Sequence, residues 1–259
     1  MAADGGSYMS KRNTYLLGGL AVVLGVAMLA VALFALTGDD DSSPATSERN
    51  APETPITPGS TPTTDTGQDE TPSGTEAQGA AIRQQLARRK TVQAPDFSAQ
   101  VIHEGSVPNS LKEAFDGATD GGSLDIGKLR GTPVVLHLWS SKCAPCRGDS
   151  RLVEATWKRW GPRGVLVVGA SVKEPSAAAK AVIEQYDLTY PSVADPSGAL
   201  AERYGATVVP HTFFISAGGD IVGEVAGSPS VRQLELGAQA AESGKPFGSE
   251  QGSSRVPLG

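Results

Sequence analysis

The only two cysteines of the chain are separated by two residues, Cys143-Ala144-Pro145-Cys146, and stand between two runs of very different character. Ahead of them lies PVVLHLW (133–139), short, rich in β-branched residues and free of acidic and basic charges, which predicts a buried strand. After them, APCRGDSRLVEATWKRWG sets Leu152, Val153 and Trp157 at helical spacing and meets Gly161-Pro162, which predicts a helix that stops there. A C-x-x-C at such a junction has a physical meaning. The first thiol sits where free backbone N–H groups and the helix dipole favour negative charge, so its thiolate is stabilised. The second lies one turn further in, within reach of a mixed disulfide on the first, and proline is tolerated in that first turn. The pattern points to dithiol–disulfide exchange. A structural staple is the plain alternative, but closing so short a loop restricts the unfolded chain little. A zinc ribbon needs four ligands, and there is no second C-x-x-C. A copper(I) site made of Cys143, Cys146 and either His137 or His211 stays open, since thiolate and imidazole suit that ion.

The rest of the chain is strongly segregated along its length. Thr14 to Gly38 carries no charge, and Leu16 to Leu36 is long enough to cross a bilayer, which takes about 20 apolar residues. Lys11 and Arg12 precede it and Asp39, Asp40 and Asp41 follow, so the positive-inside rule puts the N-terminus in the cytoplasm and everything after Gly38 outside. Ala30-Val31-Ala32 would tolerate signal cleavage, but the run exceeds the apolar core of a signal peptide, so an uncleaved anchor is expected. The expected order is a cytoplasmic 1–15, a transmembrane anchor at 16–37, and a disordered Pro/Thr/Ser/Asp linker at 38–79. A folded domain at 80–247, with its core at 92–245, and a flexible tail at 248–259 follow. The net charge of −6 leaves no basic footprint for nucleic acid. The protein is expected to be a monomer in the cell membrane, single-pass, with its folded domain extracytoplasmic.

Within that domain strands alternate with helices. GVLVVGAS (164–171) is a second buried strand, PSAAAKAVIEQYD (175–187) a helix, and ALAERYG another short helix. HTFFIS and IVGEVAG flank Gly218-Gly219 as a hairpin, and SVRQLELGAQAAES (230–243) closes as a helix. The alternation implies an α/β sandwich with a mixed central sheet.

APDF, LRGTPVVLHLWSSKCAPCRGD, the Asp-Pro-Ser-Gly of YPSVADPSG, YGATVVPHTFFIS and GDIVGEVAG occur in this order. In these the chain resembles the TlpA/ResA/CcmG type of membrane-anchored thioredoxin-like thiol-disulfide oxidoreductase, over about 92–245. The resemblance implies a thioredoxin-like fold with an N-terminal extension and a central αβ insertion within about 172–195. It makes Cys143 the nucleophile and Cys146 the resolving thiol of a redox disulfide. It makes Pro210 a cis proline against the dithiol, with the Val209 backbone pairing with a bound client strand.

Five further residues are expected to tune the site. Lys142 stands where the family usually has an aromatic residue; a cation there lowers the Cys143 pKa and makes the disulfide more oxidising. Asp149 falls near a position where this type often carries glutamate, and is either a proton-shuttling carboxylate or a solvated helix residue. His137 is either a proton relay behind Cys146 or a core histidine. His211 follows the proline and is placed to pair with the Cys143 thiolate. Trp139 is expected beside the disulfide.

The resemblance implies no metal and no organic cofactor. It implies client proteins with disulfides or dithiols, a membrane thiol electron donor, and reduction of protein disulfides, cytochrome c maturation being one setting. The alternatives are a disulfide-donating oxidase of secreted proteins and the copper(I)-handling protein. Thiol peroxidase chemistry is disfavoured because Ser141-Lys142-Cys143 lacks the threonine and proline pattern that orients peroxide.

Overall fold

The computed structural model describes residues 74–259. The expected anchor and residues 38–73 of the expected linker lie outside them. Among the described residues no helix is long and apolar enough to cross a membrane.

The described chain begins with helix α1 (Gly74–Ala87), which buries Gly79, Ile82 and Leu86 at helical spacing. Gly79 lies so close to the 202–205 backbone that a Cβ there would come within 2.3 Å of the Glu202 carbonyl oxygen. Arg83 Nη1 donates to the Gly205 carbonyl at 2.8 Å beside it. The domain therefore starts at least six residues before the expected position 80. Gly74 to Gly79 reads as linker because it is polar and bounded by glycines, and the missing side chain of Gly79 is what lets α1 approach its neighbour.

An N-terminal extension follows: β1 (Val92–Gln93), β2 (Ser98–His103), helix α2 (Asn109–Ala118), β3 (Thr119–Asp120) and β4 (Ser123–Asp125). Then come β5 (Val134–Trp139), helix α3 (Ala144–Trp160) and β6 (Leu166–Val172). Helix α4 (Ser176–Gln185) and β7 (Ser192–Asp195) form the αβ insertion, where the resemblance implies one. Helix α5 (Ala199–Arg203), β8 (Val208–Val209), β9 (His211–Ile215), β10 (Asp220–Ala226) and helix α6 (Val231–Ser243) complete the expected elements. Two more strands lie beyond them, β11 (Gly248–Gln251) and β12 (Val256–Pro257).

The main sheet runs β1-β10-β9-β5-β6-β7-β2-β4-β3, with β11 also on β10. Strands β5, β6 and β7 are parallel to one another, while β9 lies antiparallel to β5. Every residue of β5 and β6 is buried, which is why both read as unbroken apolar runs rather than alternating ones. The β9–β10 hairpin turns at Gly219, whose φ of +84° suits glycine. This is the thioredoxin-like α/β arrangement, a mixed sheet with helices packed on it. Helix α3 ends at Trp160 as expected, but Gly161 keeps helical angles and the left-handed residue is Gly164, at φ +91°.

The tail is not free. Strand β11 pairs in parallel with β10 from Gly223–Gly248 to Ala226–Gln251, and β12 pairs antiparallel with β8 through Val256–Val209 and Pro257–Val208. Phe247 anchors its start, edge-on to Phe214 at 5.5 Å, in space that a side chain at Gly223 would fill. Gly252 then passes against Gly227, where a Cβ would meet the Gly227 backbone at 2.4 Å. Glycines that look like slack in the sequence are here the condition for close backbone approach.

Candidate active site

Strand β5, at the middle of the sheet, carries the chain into the turn Ser140-Ser141-Lys142 and then into α3. Cys143 is the N-cap of that helix, and its Sγ accepts the Cys146 backbone N–H at 3.1 Å. The two cysteines are joined as a disulfide. When the pair is reduced, the same N–H and the helix dipole favour a thiolate on Cys143. Both cysteines are buried, Cys143 with 1% of its surface exposed.

The turn ahead of them is held by Glu174, two residues past the end of β6. Its buried carboxylate accepts the Ser141 N–H at 2.8 Å, the Ser140 hydroxyl at 3.1 Å and the Ser171 hydroxyl at 2.6 Å. The Ser141 hydroxyl donates to it as well. Arg147 Nη1 closes the turn from the other side, on the Ser141 carbonyl at 2.9 Å. Nothing in the local sequence marks Glu174. A charge just after an apolar strand and before Pro175 reads as a solvated loop residue, and only the unmatched donors at Ser140 and Ser141 called for an acceptor.

The Val209–Pro210 peptide is cis, and it joins β8 to β9. Val209, Ser140, Lys142 and Cys143 line one cavity of about 160 Å³. Lys142 is exposed, and its backbone N–H donates to Ser140 Oγ at 3.3 Å.

The two histidines are each held by a buried neighbour. His211 is stacked on Phe213, with ring centroids 4.4 Å apart, and its Nε2 lies 2.9 Å from Glu224 Oε2. Glu224 in turn accepts from the Ser249 hydroxyl of β11 at 2.9 Å. One ring nitrogen of His211 is thus engaged by a buried carboxylate. His211 Nδ1 has no hydrogen-bond partner among the described residues. His137, on β5, is buried with Nδ1 3.0 Å from Thr212 Oγ1. Burial, and secondarily the neighbouring His211, push its pKa down to about 4. The neutral imidazole is thus held in the core by Thr212, as the core-histidine reading expects.

Asp149 is not solvated. It is buried one turn beyond Cys146 on α3, and its Oδ2 has no hydrogen-bond partner among the described residues. Burial raises its pKa to about 6, with a Ser228 hydrogen bond pulling the other way. Such a carboxyl can take or give a proton near neutrality. Trp139 is buried over Gly169 of β6, where a Cβ would come within 3.1 Å of its Nε1. Among the described residues no group of three or more His, Cys, Asp or Glu side chains gathers as a metal-ligand set. Each imidazole uses one ring nitrogen on a neighbour, His211 on Glu224 and His137 on Thr212.

Residues 91–223, just over half of the chain, match the AhpC/TSA family. The chain belongs to that family. The match ends before α6, β11 and β12. Among curated proteins the chain is 27% identical to the thiol-disulfide oxidoreductase ResA of Bacillus thuringiensis subsp. konkukian (strain 97-27), over 45% of this chain and 67% of that protein. It is 29% identical to the ResA of Bacillus subtilis (strain 168), over 49% of this chain and 69% of that protein. The ResA type named in the sequence resemblance is thus the type of these relatives, which are thiol-disulfide oxidoreductases. Among solved structures it is similar to a thiol:disulfide interchange protein of Chlorobium tepidum TLS, with a TM-score of 0.47 and 22% identity over 59% of this chain and 97% of that one. It is also similar to MTB DsbF, with a TM-score of 0.46 and 23% identity over 56% of this chain and 95% of that one.

Proposed function

We propose that this protein is an extracytoplasmic, membrane-anchored thiol-disulfide oxidoreductase that reduces disulfides in client proteins through Cys143 and Cys146. The observation that carries the reading is Cys143 Sγ at the N-cap of α3, accepting the Cys146 N–H at the mouth of a cavity that Val209 also lines. The uncharged run from Thr14 to Gly38 and the basic pair before it support the anchor and its orientation.

In the reductive direction the Cys143 thiolate attacks one sulfur of a client disulfide that lies along the Val209–Pro210 edge. The Cys143–client bond forms, the client S–S bond breaks, and the departing client thiolate takes a proton. Cys146 then gives its proton to the Asp149 carboxylate, and its thiolate attacks Cys143 Sγ. The Cys143–Cys146 disulfide forms, and the second client thiolate leaves and is protonated. The client gains two electrons and two protons, and a membrane thiol carrier returns the protein to its dithiol form. The thiols of apocytochrome c that receive haem are one client class. Lys142, exposed and lining the cavity with Cys143, favours a second reading in which the disulfide is donated to secreted proteins, because a cation beside the thiolate stabilises the reduced form.

Two measurements on the full chain test this. Cys146→Ser removes the resolving thiol, so client proteins are expected to accumulate as mixed disulfides on Cys143; an absence of any such adduct in membranes would sink the proposal. The reduction potential of the couple sets the direction: about −270 mV supports a reductase, and a value toward about −120 mV supports the oxidase.

A further inference from the structure

The edge of β8 beside the dithiol is already occupied. Val256 and Pro257 pair antiparallel with Val209 and Val208, and the Leu258 N–H donates to the Thr207 carbonyl at 3.0 Å. Val256, Pro257 and Leu258 also line the cavity that holds Cys143, Ser140 and Lys142. A sulfur that must be reached by a client disulfide is nearly sealed, and the chain's own tail forms one wall of the enclosure.

We propose that this edge is a strand-docking site held by the chain's own segment Val256–Leu258, a stand-in for client peptide, and that clients reach Cys143 by exchanging with it. The inference rests on the reading that clients dock along Val209, and it adds what they must displace and what they must resemble.

The way the tail is held suits exchange. Its anchor is β11, paired with β10 over four residues from Gly248 to Gln251. The crossing after it is fixed by three main-chain bonds, Gly252 N–H to the Ala226 carbonyl at 2.9 Å, Ser253 N–H to the Ser228 carbonyl at 3.0 Å and Ser228 N–H to the Ser254 carbonyl at 2.7 Å. Beyond them β12 has two ladder pairs, and Val256 and Leu258 are only partly buried. A two-residue strand at an edge has little to hold it, so the last segment can leave while β11 stays.

Lys173 secures the far end. Its ammonium donates to the Leu258 carbonyl at 2.7 Å and to the Gly259 carbonyl at 2.5 Å. Lys173 has a left-handed backbone, φ +54°, a conformation uncommon for a residue with a Cβ. The next residue, Glu174, turns inward to the Ser140–Ser141 turn. One strained position therefore serves both the turn that carries Cys143 and the segment that covers it.

The occupant describes its competitors. Main-chain pairing to a strand edge supplies sequence-independent affinity, and side-chain pockets supply preference. A matching client segment is extended, puts a β-branched or similar apolar residue opposite Val209, tolerates proline next to it, and offers a free carbonyl to the Lys173 ammonium. Those features belong to an unfolded or locally unfolded polypeptide near its disulfide, rather than to a compact folded surface. A tethered occupant competes at an effective concentration in about the mM range, so weak clients are held off.

The test compares the full chain in its dithiol form, the chain ending at Gly252, and a Val256→Asp, Leu258→Asp variant that keeps the backbone length. Iodoacetamide alkylation of Cys143 is followed by mass spectrometry, and thermal unfolding checks that each form is folded. Both altered chains are expected to alkylate at least tenfold faster than the intact one. Adding the peptide Ser-Ser-Arg-Val-Pro-Leu-Gly is expected to slow the truncated chain, while a scrambled peptide is not. Equal alkylation rates in intact and altered chains would overturn the inference, and the point variant decides if the truncated chain fails to fold. The same forms carrying Cys146→Ser separate this idea from the proposed function. Equal client trapping by intact and truncated chains sinks the exchange and leaves the oxidoreductase standing. Faster alkylation with no client trapped by any form sinks the oxidoreductase and, with it, the exchange for clients.

Discussion

The Glu174 carboxylate and Ser141 are joined twice, through the serine's backbone N–H at 2.8 Å and through its hydroxyl. Two residues later the chain reaches Cys143. The position of the nucleophile's turn is thus set by a side chain 33 residues away in sequence from Ser141.

Replacing Glu174 with Ala leaves the donors of Ser140, Ser141 and Ser171 without their acceptor. Each buried group left unmatched costs about 1–3 kcal/mol, so Glu174→Ala is expected to lose about 3 kcal/mol of stability in urea titration. Glu174→Gln keeps one acceptor oxygen and is expected to fall between. A loss within about 0.5 kcal/mol, ordinary for surface changes, would show that the carboxylate does not hold the turn.

Asp149 makes stability depend on pH in an unusual direction for a carboxylate. Its pKa is raised from 3.8 to about 6, so the folded protein binds the proton more tightly than the unfolded chain. The contribution is complete below about pH 4 and is lost as pH rises through about 6. Asp149→Asn removes the titration, so its stability relative to the native chain is expected to grow by up to about 3 kcal/mol across that interval. In the same variant the closing of the Cys146–Cys143 bond is expected to lose its acceleration near pH 6, measured in stopped flow.

His137 acts in the opposite sense. Its pKa is lowered from 6.5 to about 4, so its contribution is present above pH 6.5 and is lost as pH falls through 4. His137→Asn is expected to be up to about 3 kcal/mol less sensitive to acid over that range. In the native chain the two residues partly cancel between pH 4 and 6. A flat native profile that tilts one way in Asp149→Asn and the other way in His137→Asn is the expected signature.

The docking of α1 has its own test. Gly79→Val would drive a branched side chain into the Glu202 and Gly205 backbone, where even a Cβ lies within 2.3 Å of an oxygen. A cost of about 1–3 kcal/mol is expected, with Arg83 losing its hold on the Gly205 carbonyl. Faster amide exchange confined to 74–87, with the sheet unchanged, would locate the damage.

What was legible in the sequence was local. The apolar run of β5, the cysteines after it, the helix spacing of α3 and the Gly218-Gly219 turn each signal within a few residues. Asp149 was half legible: it stands four residues before Val153 and so lies on the apolar face of α3, which argues burial over solvation. The cis bond at Pro210 came from resemblance, since nothing in Thr207-Val208-Val209 asks for it. Glu174, Glu224 and the tail were hidden for one reason. Each acquires its role from a partner distant in sequence, and a glycine- and serine-rich segment that gains order at two sheet edges has no periodicity of its own.

Strand β5 lies between β6 and β9 with every residue covered, and it ends at the turn that leads to Cys143. Its amides are shielded from solvent unless the whole sheet opens, so their deuterium uptake is expected to report the global unfolding free energy, whereas β12, paired only with β8, is expected to exchange through local opening. The reactive turn thus follows the strand expected to exchange most slowly, while the segment that covers Cys143 is expected to exchange faster. Damage in the sheet away from Ser171 is expected to leave the turn's geometry intact until global stability is nearly spent, so that activity falls abruptly rather than by degrees.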